Sequence, residues 1–161
     1  MDLISKKELK KALNMSEERN SLLIDLAYKK LKIKDINELY SRHKNKTTIE
    51  FINNVLYDLQ IDLEINNEDL NRIPNKGGFI VLSNHPLGAL DGLIVCKTIL
   101  SKREDFKLMA NFLLERIEPL KEIIFPINPF ENLKDKKSNL LGVKKALNYV
   151  EEGNSLGVFP S

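Results

Sequence analysis

The hydrophobic residues of this chain change period near Gln60, and that change limits what the chain can fold into. Ahead of it, apolar positions recur at helical spacing, the repeat of helices with one buried face. Behind it, short apolar runs alternate with helical stretches, a pattern that buries a parallel sheet between helices. The expectation is an α/β fold: a mainly parallel sheet with flanking helices, preceded by an N-terminal helical segment. Residues 1–60 form that segment and residues 61–161 the α/β part. A chain of 161 residues has room for one ordinary domain and not for two.

Local signals place the elements. Ser5 with Glu8, and Thr47 with Glu50, have the spacing of capping boxes. Leu9 and Leu13 follow the first; Phe51, Ile52, Val55, Leu56 and Leu59 trace a stripe behind the second. Ser16 opens a further helix, with Glu17 and Glu18 in its first turn and Leu22, Leu23, Leu26 and Ala27 at helical spacing. The polar stretch 41–46, with His43 in it, reads as a solvated loop. Ile61, Leu63 and Ile65 alternate with Asp62 and Glu64, as in a half-exposed strand. Further strands are expected at 79–83, 107–110, 123–128 and 156–159, the first covered on both faces. Helices are expected at 91–100 and 111–116. Another, capped by Ser138, carries Leu140, Val143, Leu147 and Val150 and ends at Gly153. The chain stops at Pro160-Ser161, directly after a strand that reads as interior to the sheet. Because natural domains avoid open hydrophobic edges, the C-terminal part of the α/β domain is expected to be missing.

Composition narrows the function classes. Hydrophobic residues at 42% and charged residues at 30% describe a globular chain rather than a disordered one. A net charge of +2 is no footprint of nucleic-acid binding. The charge is uneven, however: residues 1–46 carry 12 Lys/Arg against 7 Asp/Glu. The basic helix ending at 29–34 could lie on anionic headgroups with Leu22, Leu23 and Leu26 dipping inward, or those leucines could pack onto the α/β domain. No apolar run approaches the roughly 20 residues that span a bilayer, and the N-terminus lacks a signal-peptide core. A single cysteine, Cys96, sits in an apolar stretch and reads as a buried, inert thiol. The expected location is cytoplasmic, with any membrane contact peripheral, on the inner face of the cytoplasmic membrane. Two well-separated histidines and one cysteine cannot make a standard zinc site, so no metal is expected.

The segment Ser83-Asn84-His85-Pro86-Leu87-Gly88-Ala89-Leu90-Asp91-Gly92 carries the chemistry. It puts a histidine at the C-terminal end of an expected strand, where open α/β sheets build their sites. An aspartate follows at the mouth of a helix, and Pro86 and Gly88 permit a tight path between them. An acid beside an imidazole fixes its tautomer and supports the imidazolium it becomes on taking a proton. Such a pair can deprotonate an alcohol or amine attacking an acyl carbonyl. On residue types alone, His85 could equally close a loop while Asp91 caps the helix. Ser83 and Ser161 lack the Gly-rich elbow of a serine nucleophile.

Asn84-His85 with Asp91 downstream resembles the first block of the phospholipid/glycerol acyltransferase family, of the lysophosphatidate acyltransferase type. The form NHPLGALDG is similar to that of bacterial proteins labelled hemolysins, a branch of the same superfamily. Five residues separate His85 from Asp91, one more than the family's usual four, and Gly88 accommodates the addition. Phe125-Pro126-Ile127-Asn128-Pro129-Phe130 stands where the second block falls, with Asn128 near the position of a phosphate-contacting arginine. Val158-Phe159-Pro160-Ser161 matches the start of the third block. The resemblance covers about residues 60–161. It implies acyl transfer from an acyl carrier protein or coenzyme A thioester to the hydroxyl of a lyso-lipid, without a cofactor. His85 would be the general base, oriented by Asp91; Asn84, Gly88, Asn128, Phe159 and Pro160 would line the substrate site. Asn128 in place of arginine suggests an amino-acid-derived lyso-lipid rather than a phosphate ester. The alternative is a non-enzymatic lipid- or partner-binding module, which would not require His85 and Asp91 together.

Overall fold

The computed structural model describes residues 2–12, 21–127 and 136–160. The chain divides into two compact units, Met1–Asn45 and Lys46–Ser161. The first holds helices α1 (Lys6–Ala12), α2 (Ser21–Lys30) and α3 (Ile33–His43). The expected Ser5–Glu8 box caps α1: the Ser5 amide donates to Glu8 Oε2 at 2.8 Å, and the Glu8 amide returns to Ser5 Oγ at 3.3 Å. Asn37, buried on α3, bridges the segment ahead of α1 to α2. Its side chain accepts from the Ile4 amide at 2.9 Å and donates to the Ile4 carbonyl at 2.8 Å and the Tyr28 hydroxyl at 3.1 Å. Ile24, Leu9 and Ile33 supply the buried apolar surface. Ser16, proposed to open a helix, lies outside the described residues. His43 is not in a loop: α3 runs on to it, and it is half-buried with a partner of its own.

The second unit opens with α4 (Thr48–Asp58), whose Thr47–Glu50 capping box forms in both directions. Its stripe of Phe51, Ile52, Val55 and Leu56 is buried. This unit therefore begins ahead of the change of period at residue 60, because α4 packs on the helix that follows the first strand. The short α5 (Asn67–Asn71) comes next, then β1 (Phe79–Leu82), α6 (Ala89–Leu100) and β2 (Lys107–Asn111). Two 3-10 turns, Phe112–Arg116 and Glu118–Ile123, lead into β3 (Ile124–Ile127), α7 (Lys136–Glu151) and β4 (Ser155–Val158). The four strands pair in the order β1-β4-β2-β3, and all three pairings are parallel. The fold is α/β, a parallel sheet flanked by helices, with helices ahead of it.

Registers assign the two faces of the sheet. Leu108 pairs with Gly157 and Ile124, so these share a face. A Cβ on Gly92 of α6 would meet Leu108 Cδ2 at 3.7 Å, which puts α6, backed by α4, on that side. Phe125 points to the other face, where its ring meets Tyr149 of α7 edge-on at 5.3 Å. Gly157 has to be glycine: a Cβ there would lie 2.6 Å from the ring of buried Phe106 and 2.8 Å from Leu108.

Four further expectations need correcting. Residues 61–64 alternate in exposure, Ile65 is exposed like Glu64, and the segment joins no strand among the described residues. The alternating pattern is satisfied by half-burying Ile61 and Leu63 without a ladder. β1 is not covered on both faces: it is an edge of the described sheet, and Leu82 is 68% exposed. Ser138 lies inside α7 rather than at its cap. Leu140, Val143 and Leu147 do not form its buried side. Gly142 and Ala146 do, because small residues let the helix close on the sheet; a Cβ on Gly142 would sit 3.1 Å from the Pro126 carbonyl.

At the N-terminal ends of the strands, Arg103 uses all five guanidinium N–H groups. Nε and Nη2 grip Asp105 at 2.9 and 2.7 Å. Nη1 donates to the Pro74 and Gly77 carbonyls and Nη2 to that of Gly153, each at 2.9 Å. One side chain thus ties the approaches to β1, β2 and β4. Ser155 Oγ donates to Asp105 at 3.1 Å, and the Tyr149 hydroxyl to the Asp105 carbonyl at 2.6 Å.

Candidate active site

β1 and β4 run side by side and leave the sheet at the same end, with Leu82 opposite Val158 and the Ser83 amide donating to the Val158 carbonyl at 3.3 Å. Residues 83–88 then turn back into α6. That return depends on Gly88, the N-cap of α6, at φ 65° and ψ −129°, a conformation that costs a residue with Cβ. The turn places His85 three residues past β1 and Asp91 in the first turn of α6, at the C-terminal end of a parallel sheet.

His85 Nδ1 lies 3.6 Å from Asp91 Oδ2. This is an ion-pair distance, longer than a hydrogen bond. The imidazole is 43% exposed and the carboxylate 15%. Oδ2 also accepts the Leu87 amide at 2.7 Å, a short charge-assisted bond that fixes the carboxylate within its own loop. The Asp91 amide donates to the Gly88 carbonyl at 3.1 Å. On its other side, the His85 ring stacks on Phe159, just past β4, with centroids 4.3 Å apart and planes 23° from parallel.

His85, Asp91, Gly88 and Phe159 are therefore brought together. Asn84 is an exposed neighbour whose carbonyl accepts from Ser83 Oγ at 3.0 Å, and Pro160 is exposed one residue beyond Phe159. Asn128 lies outside the described residues. Two features had no sequence signal: the Leu87 amide on Asp91, a backbone group, and the ring contact between His85 and Phe159, which depends on strand order. Cys96 is buried in α6, and burial pushes its thiol up to about 12. Among the described residues no cluster of His, Cys, Asp or Glu could hold a metal ion, and no helix is long and apolar enough to cross a membrane.

A parallel α/β sheet with a histidine–acid pair at its C-terminal end is the frame on which the comparisons fall. The profile of the family described as Acyltransferase matches residues 9–139, and the chain belongs to that family. It is also similar to a lyso-glycine lipid O-acyltransferase of Bacteroides thetaiotaomicron, 29% identical over 96 residues. That alignment covers 58% of this chain and 34% of the relative, so the chain spans about a third of the relative's length. No solved structure matches it significantly.

Proposed function

We propose that the chain carries the catalytic pair of a lipid O-acyltransferase, which moves a fatty acyl group from a thioester to the hydroxyl of a lyso-lipid. The observation that carries this reading is His85 Nδ1 at 3.6 Å from Asp91 Oδ2, at the strand ends of a parallel sheet. His85 takes the proton of the acceptor hydroxyl as its oxygen attacks the thioester carbonyl. Asp91, held by the Leu87 amide, stabilises the imidazolium that results. The tetrahedral intermediate collapses with loss of the thiolate, which takes the proton back from His85. A contact of 3.6 Å in the free protein tightens when the ring becomes charged. The donor is an acyl carrier protein or coenzyme A thioester, and the step requires no cofactor.

The relative's name and Asn128 point the same way on the acceptor: an amino-acid-derived lyso-lipid in preference to a phosphate ester. Membrane contact is assigned to α2, on the inner face of the cytoplasmic membrane. Leu22, 83% exposed, shares an outward face with Leu23 and Leu26, and Lys29 and Lys30 close the helix. That is the make-up of a helix lying on anionic headgroups. The test of the reading is transfer of a labelled acyl group to lyso-aminolipid and lyso-phospholipid acceptors. The wild type transfers, and His85→Ala loses on the order of 10²–10⁴ in rate. Undiminished transfer by His85→Ala would remove the histidine from the mechanism, and absence of transfer by the folded wild type would favour a lipid-binding module instead.

A further inference from the structure

His85 is poorly held by its acid partner. Asp91 Oδ2 stands 3.6 Å from the ring and is already engaged by the Leu87 amide. The histidine's own carbonyl accepts one long bond, from the Gly88 amide at 3.5 Å. The surface that does bear on the imidazole is the Phe159 ring, at 4.3 Å and 23° from parallel. Phe159 in turn is anchored where the histidine is not. It follows β4, which lies between β1 and β2, and Val158 before it pairs with Leu82 of β1. Leu156 and Gly157 of β4 are buried.

We infer that Phe159 is a positioning residue for the acyl-transfer base: it sets the plane of the His85 imidazole so that Nδ1 faces Asp91 and Nε2 is presented to the acceptor. The phenyl face also favours the ring once it is cationic, since an aromatic face attracts a cation placed over it. This assignment rests on the acyl-transfer reading for its catalytic consequence, but not for the contact itself. It gives Phe159 a role distinct from lining the substrate site.

The experiment separates the two. The chain has two histidines, so a His43→Gln background leaves His85 as a single ring signal in a spectrum of 13C-labelled histidine. Stacking on Phe159 displaces the His85 ring protons upfield; Phe159→Leu removes the displacement and Phe159→Tyr restores it. In the transfer assay Phe159→Leu lowers kcat roughly ten- to a hundredfold with KM little changed, the cost of a misplaced catalytic group. Phe159→Tyr recovers most of it. A raised KM at unchanged kcat would make Phe159 a substrate contact and overturn the assignment, as would a His85 signal indifferent to Phe159→Leu. If the wild type transfers nothing, the acyl-transfer reading falls, and the ring signal alone decides whether Phe159 holds the histidine.

Discussion

The two ends of the sheet each hold a basic side chain against an aspartate, and they are built in opposite ways. At the N-terminal end Arg103 is 6% exposed, meets Asp105 through two bonds and gives its other three donors to backbone carbonyls. At the C-terminal end His85 is 43% exposed and stands 3.6 Å from Asp91. The first pair is closed, with every donor used, and it joins segments far apart in sequence. The second is open, held within one loop and by one ring from a neighbouring strand. A pair that holds the fold together should be saturated and dry. A pair that moves a proton has to keep capacity in reserve, and its precision comes from the elements around it.

The largest effect should come from breaking the closed pair. Arg103→Met leaves Asp105 without its partner and three carbonyls without donors, at the ends of three strands. Loss of one member of a fully buried charge pair costs about 3–5 kcal/mol, and because Asp105 is 28% exposed the loss here falls at the low end of that range or below it, still a large part of a domain's stability. Denaturant unfolding should show that loss, and Arg103→Lys should recover only part of it, because an ammonium cannot make the fork. Equal stability of the Arg103→Met protein would show that the network is ornamental. The open pair should respond in the reverse sense. His85→Ala should unfold within about 0.5 kcal/mol of the wild type, as substitutions of exposed side chains usually do, and Asp91→Asn, which keeps an oxygen to accept the Leu87 amide, should lose about 1 kcal/mol. Their loss belongs to transfer, measured on the folded proteins. Circular dichroism melts run beside the assay check both halves of that expectation.

How far each end could be read from sequence follows from the same contrast. Asn84-His85 and Asp91 are neighbours in the chain, so the loop that joins them is visible as a motif, and Gly88 marks its turn. The capping boxes at Ser5 and Thr47 and the strand of 156–159 are equally local, and each formed. Arg103 left no trace in any pattern, since its partners lie at residues 74, 77, 105 and 153 and three of the four contribute backbone carbonyls. The stacking of Phe159 on His85 was hidden for a related reason: it requires β4 to insert beside β1, a non-sequential order. Where periodicity misled, at 61–65 and on α7, it reported which residues are apolar. It did not report whether a neighbouring strand or a glycine face was available to meet them.

Acid should weaken the closed end. The Arg103 hydrogen bonds hold the Asp105 carboxyl below the usual carboxylate range, against the opposing pull of its partial burial. A carboxyl lowered on folding stabilises the folded chain above its unfolded pKa. That contribution fades as pH falls through the ordinary carboxylate range and is gone below the lowered value. Stability measured from neutral pH downward should therefore drop in that window. Asp105→Asn, less stable at neutral pH, should show a shallower decline. Parallel curves for the two proteins would place the acid sensitivity elsewhere.

The smallest change concerns Gly88, where the open end stores what strain it has. Its φ of 65° with ψ of −129° is disfavoured for any residue with a side chain, although a Cβ would meet nothing within 4 Å. Gly88→Ala therefore adds a conformational cost without a clash. Such costs run to about 1–3 kcal/mol where the surroundings enforce the geometry. Here the loop is largely exposed, so it relaxes and the stability cost falls at the low end. Relaxation has its own consequence, because Gly88 is the turn in the path from His85 to Asp91. An altered φ re-aims Pro86 and Leu87, and with them the amide that holds Asp91 Oδ2 at 2.7 Å. Gly88→Ala should thus lose about tenfold in transfer while melting close to the wild type. Gly88→Asn should fare no better, because the tolerance of asparagine for positive φ belongs to the left-handed region at ψ of about +30° to +60° and not to ψ −129°. If both variants transfer at the wild-type rate, the turn does not set the spacing of the pair. If both lose stability equally and transfer normally once folded, its role is confined to the fold, and the contrast between the two ends of the sheet weakens.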